Sequence, residues 1–277
     1  MLPDRSKKSF QKTRMLGQDS NGTGTRIHIG GAPVDSISLS SLLPYLDGLV
    51  EDGNPHYVCF CEAHLSVRAT FEKEIRYVLE EASLVLPDGV SMTLGARLLG
   101  KKFPERLPGP LVMLEYCRHG INKDLKHFFY GGSDGVVEQL ATKLRQRVRG
   151  IRIVGTFSPP FRSLTQEEER TVKNHIEQSK ADVLWVGLGA PKQERWMAEH
   201  VGKINVPLML GVGAAFDFHS GNRRWAPNWI RKAGGEWIYR MFTGGRRVFC
   251  RNAKYESLFT LIIFKQALLN LLSRRKR

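Results

Sequence analysis

Short apolar runs alternate with helical segments along most of this chain, and this alternation restricts the fold more than any other feature. The runs have the length of buried strands, and helices of ordinary length fit between them. The predicted strands are 26–29, 56–61, 83–86, 127–130, 151–155, 182–187 and 206–211, and the clearest predicted helices are 69–82, 135–148 and 166–179. Strands joined by helical crossovers predict an α/β fold, with a parallel sheet covered by helices on both faces.

The length and composition favour one large domain with an appendage. A chain of 277 residues with 42% hydrophobic content can bury a substantial core. We predict a Rossmann-like α/β domain over 26–220 and a basic helical appendage over 221–277. Residues 1–25 are predicted to be a disordered tail, because they are polar and lack the apolar stretch of a signal peptide. Four cysteines without metal-ligand spacing indicate a reducing compartment.

Positive charge is concentrated at the carboxyl-terminal end. Residues 222–277 hold fourteen Lys or Arg against two acids, a net charge of +12 out of +15 for the chain. Aromatic residues are interleaved with these cations: Trp225, Trp229, Trp237, Tyr239, Phe242, Phe249 and Tyr255. Cations mixed with aromatic rings are typical of proteins that bind the headgroup layer of an anionic membrane. A nucleic-acid surface and a solvated helical face are the alternatives.

An apolar segment, 258–272, follows the basic stretch and favours lipid over nucleic acid. Its fifteen residues cover about 22 Å as a helix, less than the hydrocarbon thickness of about 30 Å. We therefore expect the segment to lie on a membrane and not to cross it. Two apolar residues, Phe259 and Ile263, interrupt its polar arc, so a core helix or an oligomer contact is the alternative. The arc consists of Glu256, Thr260, Gln266 and Asn270.

Two of the predicted strands end in segments that suit a ligand, because ligands of parallel sheets bind beyond the carboxyl ends of the strands. After 127–130 comes a glycine turn that begins with Gly131 and precedes a helix, an arrangement that suits a phosphate. After 83–86 comes Asp88, which puts a carboxylate at the edge of the sheet. The alternative role of Asp88 is to cap the next helix.

A third strand end combines glycines with polar side chains. The strand at 182–187 is followed by the segment 187–196, in which Pro191 is placed to open a helix. Lys192, Gln193 and Glu194 then fall in the first turn of that helix. Exposed polar residues at a helix N-terminus beyond a strand fit a binding site.

Several enzyme motifs are missing from the sequence. Gly187 and Gly189 lack the third glycine of a dinucleotide fingerprint, and neither a Walker lysine motif nor a GxSxG elbow occurs. HxxxH, CxxC and Asp-x-Asp patterns are also missing, so the sequence predicts neither a cofactor nor a metal site. Any phosphate leaving group must then be stabilised by amides and cations.

A set of motifs follows one another in a fixed order between about residues 26 and 251. They are Leu86-Pro-Asp-Gly89 with Ala96-Arg-Leu-Leu-Gly100, Glu105-Arg-Leu-Pro-Gly109, Tyr130-Gly-Gly132, Val186-Gly-Leu-Gly-Ala-Pro-Lys-Gln-Glu-Arg-Trp196, Gly211-Val-Gly-Ala-Ala-Phe-Asp-Phe218 and Gly235-Glu-Trp-Ile-Tyr-Arg240. In order and spacing they resemble the WecG/TagA/CpsF glycosyltransferases. The resemblance implies an inverting enzyme without an essential metal, which moves a sugar from a UDP-sugar to a polyprenyl-diphosphate-linked sugar. It also implies a place at the cytoplasmic face of the bacterial plasma membrane, in the synthesis of surface polymers.

The resemblance implies roles for individual residues. Asp88 matches the family's general base, Arg106 would face the diphosphate, and Gln193 matches a glutamine near the substrate. Glu62 stands where relatives usually carry an Asn, and Pro110 follows Gly109 where relatives often carry Ser-Asp or Pro-Asp. The other expected substrate contacts are Glu62, Gly89, Gly109, Gly131, Gly132, Gly187, Gly189, Lys192, Glu194, and the appendage arginines Arg224, Arg231 and Arg240.

Two classes of function stay open on the sequence. The first is a peripheral membrane glycosyltransferase, and the second is a non-catalytic module that binds anionic lipid or nucleic acid. We expect the first, with no nucleic-acid partner. The sequence does not choose the donor sugar among N-acetylmannosamine, its uronic acid and glucose, because single hydroxyl contacts decide that choice. It leaves the oligomeric state open as well.

Overall fold

A six-stranded parallel sheet forms the centre of the protein. The structure, a computed structural model, describes residues 25–224, 226–227, 239 and 245–275. The strands of the sheet lie in the order β4-β3-β8-β7-β5-β6, and every neighbouring pair is parallel. Their bounds are β3 His56–Cys61, β4 Leu84–Pro87, β5 Lys126–Gly131, β6 Arg152–Phe157, β7 Val183–Gly187 and β8 Leu208–Gly211. The predicted α/β fold is confirmed.

The first predicted strand lies outside this sheet. β1, Thr25–Ile29, pairs antiparallel with β2, Ala32–Ser36, in a separate two-stranded hairpin. Asp35 of β2 accepts two hydrogen bonds from the Arg26 guanidinium, at 2.8 and 2.9 Å, and a third of 2.7 Å from the backbone N–H of Val85. The hairpin thus covers the edge strand β4 and satisfies one of its free donors.

Ten α-helices are described, and nine of them flank the two sheets. Their bounds are α1 Leu39–Glu51, α2 Ala63–Phe71, α3 Lys73–Glu81, α4 Val90–Leu98, α5 Gly109–His119, α6 Val136–Arg147, α7 Gln166–Ser179, α8 Lys192–His200 and α9 Ala215–Ser220; the tenth, α10, is Gly245–Arg275. The single helix predicted over 69–82 is wrong, because Glu72 adopts an extended conformation and separates α2 from α3. The helices predicted over 135–148 and 166–179 are confirmed as α6 and α7.

The core consists of two apolar layers, one on each face of the sheet. Successive strand residues point to opposite faces, so Val58 belongs to one layer and Cys59 to the other. Trp185 of the central strand β7 is fully buried. Because both faces are covered, the strands are nearly continuous apolar runs, which is why the sequence revealed them.

The helix α10 lies on the α/β domain between α2 and α4. Phe259 and Ile263 are only 4% and 1% exposed and belong to the same apolar layer as Cys59. A Cβ at Gly95 of α4 would lie 3.0 Å from Cζ of Phe259, so the glycine is needed for this close approach. Gln266 accepts a 3.0 Å hydrogen bond from the N–H of Gly30 in the β1–β2 turn.

This docking corrects one interpretation of the sequence. The sequence places Glu256 and Gln266 in a polar arc that Phe259 and Ile263 interrupt. All four lie on the face of α10 that contacts the domain, because spacings of three and four residues place them on one side of a helix. The interrupting residues are therefore the buried contacts, and the polar residues hydrogen-bond to the domain.

The opposite face of α10 is apolar and exposed. It carries Leu261, Phe264, Leu268, Leu269, Leu271 and Leu272. The span Phe249–Ser273, 25 residues of α10, is long and apolar enough to cross a membrane by length and composition alone. The expectation that the apolar segment is too short is thus wrong for the whole helix. The contacts of Phe259 and Ile263 occupy the middle of that span, which fits a helix that lies along a membrane surface.

Candidate active site

The carboxyl ends of β5 and β7 are pressed together by two glycines. Gly131 adopts a φ of 128°, and a Cβ there would lie 2.5 Å from the carbonyl carbon of Gly187. The N–H of Gly132 donates a 3.0 Å hydrogen bond to the carbonyl oxygen of Gly187. These predicted site glycines therefore meet at the edge of the sheet, where a larger residue at Gly131 would separate the two strands.

The start of α5 and the loop before it lie at the same edge of the sheet. Gly109, the first residue of α5, packs against Val212, the residue after β8, because a Cβ at Gly109 would lie 3.3 Å from the carbonyl oxygen of Val212. The N–H of Leu107 donates a 2.8 Å hydrogen bond to the carbonyl oxygen of Pro87, the last residue of β4. Arg106, which is half-buried, is thereby held beside the strand end that carries Asp88.

Asp88 follows β4 directly and lies half-buried at the edge of the sheet. Its N–H donates a 3.0 Å hydrogen bond to the carbonyl oxygen of Cys61 at the end of β3. The N-cap position of α4 is occupied by Gly89, and Asp88 lies one residue before it. Asp88 is thus not the N-cap residue that was its alternative role on the sequence.

Glu62 follows β3 and lies beside the segment that carries Asp88, which follows the neighbouring strand β4. A Cβ at Gly89 would lie 3.6 Å from the Cβ of Glu62, which is ordinary van der Waals contact. Glu62 precedes α2, and Gly89 precedes α4, so two helix N-termini begin side by side here. Helix N-termini favour anions, so both helix ends suit the neighbouring carboxylates of Glu62 and Asp88.

Gln193 is almost fully buried, with 3% of its surface exposed. Its Oε1 accepts a 3.1 Å hydrogen bond from the N–H of Gly189, and its Nε2 donates to the carbonyl oxygen of Gly211 at 2.6 Å and to Glu194 at 2.9 Å. Both amide donors are therefore used within the protein. In this structure Gln193 fixes the loop after β7 to the end of β8.

Glu194 is fully buried behind Gln193. Burial raises the pKa of its carboxyl to about 7, and the hydrogen bond from Gln193 opposes that shift. Its Oε2 has no hydrogen-bond partner among the described residues. Glu194 was predicted as a substrate contact, but it lies beneath the surface, and its contact with Gln193 supports the loop that the substrate would touch.

The turn between β7 and α8 is open to solvent. Gly189 has a φ of 78°, and a Cβ there would meet nothing within 4 Å. Lys192, in the first turn of α8, is exposed, and Pro191 is preceded by a cis peptide bond. The exposed Lys192 therefore offers a cation beside this turn, whereas the N–H of Gly189 is already donated to Gln193.

Two residues of α10 reach this region, and the sequence did not indicate either as part of a site. Glu256 accepts a 2.6 Å hydrogen bond from the hydroxyl of Ser91, in the first turn of α4, and burial raises the pKa of its carboxyl. Tyr255 meets the ring of His64 edge-on, with ring centroids 4.3 Å apart. The ring of His64 thus packs against α10. The one signal for Glu256 was its position as the only acid after residue 236.

The three appendage arginines differ in their place in the structure. Arg224 is exposed just beyond α9, where the N–H of Arg223 donates a 3.0 Å hydrogen bond to the carbonyl oxygen of Asp217. Arg231 and Arg240 lie outside the described residues. The expected contact of these arginines with the substrate stays a prediction.

The chain was compared with known proteins. Residues 27–273 match the family model described as "Glycosyl transferase WecG/TagA/CpsF family". The chain belongs to this family. The match includes α10, so this helix lies within the region that the family shares.

Two curated relatives of this glycosyltransferase family member have the same name. An N-acetylglucosaminyldiphosphoundecaprenol N-acetyl-beta-D-mannosaminyltransferase from Bacillus spizizenii is 27% identical over 215 residues, which are 77% of this chain and 81% of that protein. A relative of the same name from Staphylococcus aureus is 30% identical over 180 residues, 65% of this chain and 69% of that protein. The names describe transfer of an amino sugar to a sugar linked through a diphosphate to a polyprenol.

Proposed function

We propose that this protein is an inverting glycosyltransferase of bacterial cell-surface polysaccharide biosynthesis. It transfers a hexose-type sugar, N-acetylmannosamine, its uronic acid or glucose, from a UDP-sugar to a polyprenyl-diphosphate-linked sugar. The observation that carries the proposal is the position of Asp88, which lies half-buried at the carboxyl edge of the sheet, one residue before the N-cap of α4. The acceptor class rests on the names of the relatives from Bacillus spizizenii and Staphylococcus aureus.

Asp88 is the general base in the proposed reaction. Its carboxylate accepts the proton of an acceptor hydroxyl while that oxygen attacks the anomeric carbon of the donor. The bond between the anomeric carbon and the diphosphate oxygen breaks in the same step, and UDP leaves. A single displacement inverts the anomeric configuration, so one base and no protein nucleophile are required.

The leaving diphosphate gains negative charge, and the edge of the sheet offers groups that stabilise it. Lys192 is exposed in the first turn of α8, and Arg106 is held beside the end of β4. Fixed cations stabilise such charge most strongly where water is excluded. Within residues 25–224 and 245–275, no three His, Cys, Asp or Glu residues are grouped so that they could hold a metal ion. We therefore propose that these cations replace a metal.

The acceptor lies in a membrane, and we propose that α10 binds the enzyme to its cytoplasmic face. The apolar outer face of the helix is exposed, and Arg251, Lys254 and Lys265 are exposed on the same helix. Each cation near an anionic surface contributes about 1 kcal/mol to binding, and apolar insertion adds to that. The oligomeric state is left open by this arrangement.

A transfer assay tests the proposal. Purified full-length protein is mixed with a polyprenyl-diphosphate-linked N-acetylglucosamine and, separately, with UDP-N-acetylmannosamine, its uronic acid or UDP-glucose. We expect UDP release and a lipid-linked disaccharide with at least one donor, and none with Asp88→Asn. If no donor is consumed while the protein still binds anionic vesicles or nucleic acid, the alternative of a non-catalytic binding module is correct.

A further inference from the structure

The exposed apolar side chains of this protein gather on three adjacent helices. Seven of the thirteen large hydrophobic side chains that are exposed among the described residues lie on α10, two lie on α4 and one lies on α2. The other three, Tyr77, Ile121 and Phe161, lie on other elements. Apolar side chains scattered over a surface are ordinary, but a contiguous group marks an interaction site.

The two exposed hydrophobic side chains on α4 are Leu94 and Leu98, which are 51% and 66% exposed. They border the row of Ser91 and Gly95, which contacts Glu256 and Phe259 of α10. Spacings of three and four residues place Leu94 and Leu98 beside that row, on the side away from the buried core of α4. Leu94 and Leu98 therefore lie next to α10 and face outward.

The facing side of α10 is apolar as well. Glu256 marks the side of α10 that meets α4, because it accepts the hydrogen bond of Ser91. Successive residues are rotated by about 100° around the helix axis, so Phe264 and Leu271 lie within about 80° of Glu256 around that axis. They lie on the side of Glu256 that faces away from the domain. Phe264 is 70% exposed. The outer faces of α4 and α10 thus form one apolar surface.

The charges around α4 suit an anionic surface. Arg97, Lys101 and Lys102 are exposed directly beside and after Leu98. Residues 90–102 contain no acid. Apolar residues next to cations, without acids, are typical of protein surfaces that enter the headgroup layer of an anionic bilayer.

We propose that α4 is a second membrane-binding element, with Leu94 and Leu98 inserted beside α10 and with Arg97, Lys101 and Lys102 at the level of the lipid phosphates. This inference rests on the proposed function, because it specifies how the same site meets its lipid-linked substrate. Asp88 lies two residues before α4 begins at Val90, and Leu94 follows Val90 by about 6 Å along the helix axis. Membrane contact through α4 therefore places the candidate base close to the headgroup layer, where the diphosphate of the acceptor lies.

Vesicle co-sedimentation of the full chain tests the proposal. We expect the double variant Leu94→Ser/Leu98→Ser to bind vesicles that contain phosphatidylglycerol about tenfold more weakly than the unchanged chain. Phe161→Ser is the matched control, because Phe161 is 92% exposed and follows β6 at the opposite edge of the sheet. Equal binding by the double variant and the control would overturn the proposal.

The depth of insertion provides a second measurement. Cys250 is exposed, whereas the other three cysteines are buried, so a Cys250→Ser background allows a single labelled position. An environment-sensitive dye on Leu98→Cys should shift to shorter emission wavelengths with anionic vesicles, and the same dye on Phe161→Cys should not. No shift at position 98 would contradict the inference even if the double variant had folded poorly.

The oligomeric state and a soluble acceptor give two further tests. If the unchanged chain is a dimer without vesicles, and the double variant is a monomer with unchanged vesicle binding, the surface belongs to a second copy and the proposal is wrong. A short-chain, water-soluble acceptor separates the inference from the proposed function. The double variant should retain turnover with that acceptor and lose it with a vesicle-embedded one, whereas failure of the unchanged chain with both acceptors would refute the proposed function alone.

Discussion

Ser91 donates a hydrogen bond of 2.6 Å to the carboxylate of Glu256, and this bond joins α4 to α10 three residues after Asp88. The helix that exposes an apolar face is thus fixed to the segment that carries the candidate base. Tyr255 makes the corresponding contact with His64 at the start of α2. Both helices that begin at the candidate site are therefore held by adjacent residues of α10.

Replacement of Asp88 tests the proposed chemistry directly. Asp88→Asn keeps the size of the side chain and removes its capacity to accept a proton, so we expect turnover to fall about 100-fold or more. UDP binding and the melting temperature should stay close to those of the unchanged chain. Turnover is measured as UDP release at saturating donor. A folded Asp88→Asn protein with near-normal turnover would show that another group is the base.

The response to chelator tests the role assigned to the cations. Because Arg106 and Lys192 are proposed to stabilise the leaving diphosphate, EDTA should leave the rate within about a factor of two. The rate is measured before and after dialysis against EDTA, and again with added magnesium or manganese. Loss of activity with EDTA and its recovery with either metal would refute metal independence.

Gly95 tests the docking of α10. A Cβ at this position would meet Phe259 at 3.0 Å and Ile263 at 3.4 Å, so Gly95→Val should weaken the docking by about 1–3 kcal/mol, the usual range for overpacking. Hydrogen exchange of the backbone around Phe259 and Ile263 should become faster. Gly48→Val is the matched control, because Gly48 also lies within a helix and a Cβ there would meet nothing within 4 Å. Equal exchange in both variants would mean that Gly95 is not a packing constraint.

The stability of the protein should depend on the protonation of Glu194. Burial raises the pKa of this carboxyl from 4.5 to about 7. Between pH 4.5 and pH 7 the carboxyl is therefore mostly protonated in the folded state and mostly ionised in the unfolded state. The free energy of unfolding therefore decreases as the pH rises from about 4.5 to about 7, and this contribution is constant outside that window. Glu194→Gln should reduce the decrease by about 3 kcal/mol, because a difference of one in pKa corresponds to about 1.4 kcal/mol.

Urea unfolding at pH 4.5, 6 and 8 measures this effect. Glu199→Gln is the control, because Glu199 is an exposed carboxylate on the same helix α8. It should retain the decrease of the unchanged chain. If Glu194→Gln retained it as well, Glu194 would be charged in the folded protein at neutral pH.

The parallel sheet could be predicted because its strands are buried on both faces. The bounds of β3 match the predicted 56–61, whereas β2 was missed. β2 contains Pro33 and Asp35, which disfavour strands, and Asp35 is stabilised by Arg26 and by the N–H of Val85, a contact with a distant part of the chain. Local sequence carries no signal for such a contact.

The candidate site could be predicted to the level of strand ends but not of side-chain roles. Asp88 and the glycines lie at the expected edge. The roles of Gln193 depend on the carbonyl oxygen of Gly211, eighteen residues away, and the surroundings of Glu194 depend on its burial. The sequence likewise showed that 258–272 is apolar. Which side of this helix faces the domain depends on its close contact with Gly95, which is far away in the sequence.

The hydrogen bonds of Gln266 to Gly30 and to the carbonyl oxygen of His28 close a loop of more than 230 residues. Closing so long a loop is favourable only after the sheet between its ends has formed, so we expect α10 to dock late in folding and to detach before the sheet unfolds. A surface that binds the outer face of α10, and leaves its inner face to the domain, would shift that equilibrium toward the attached form.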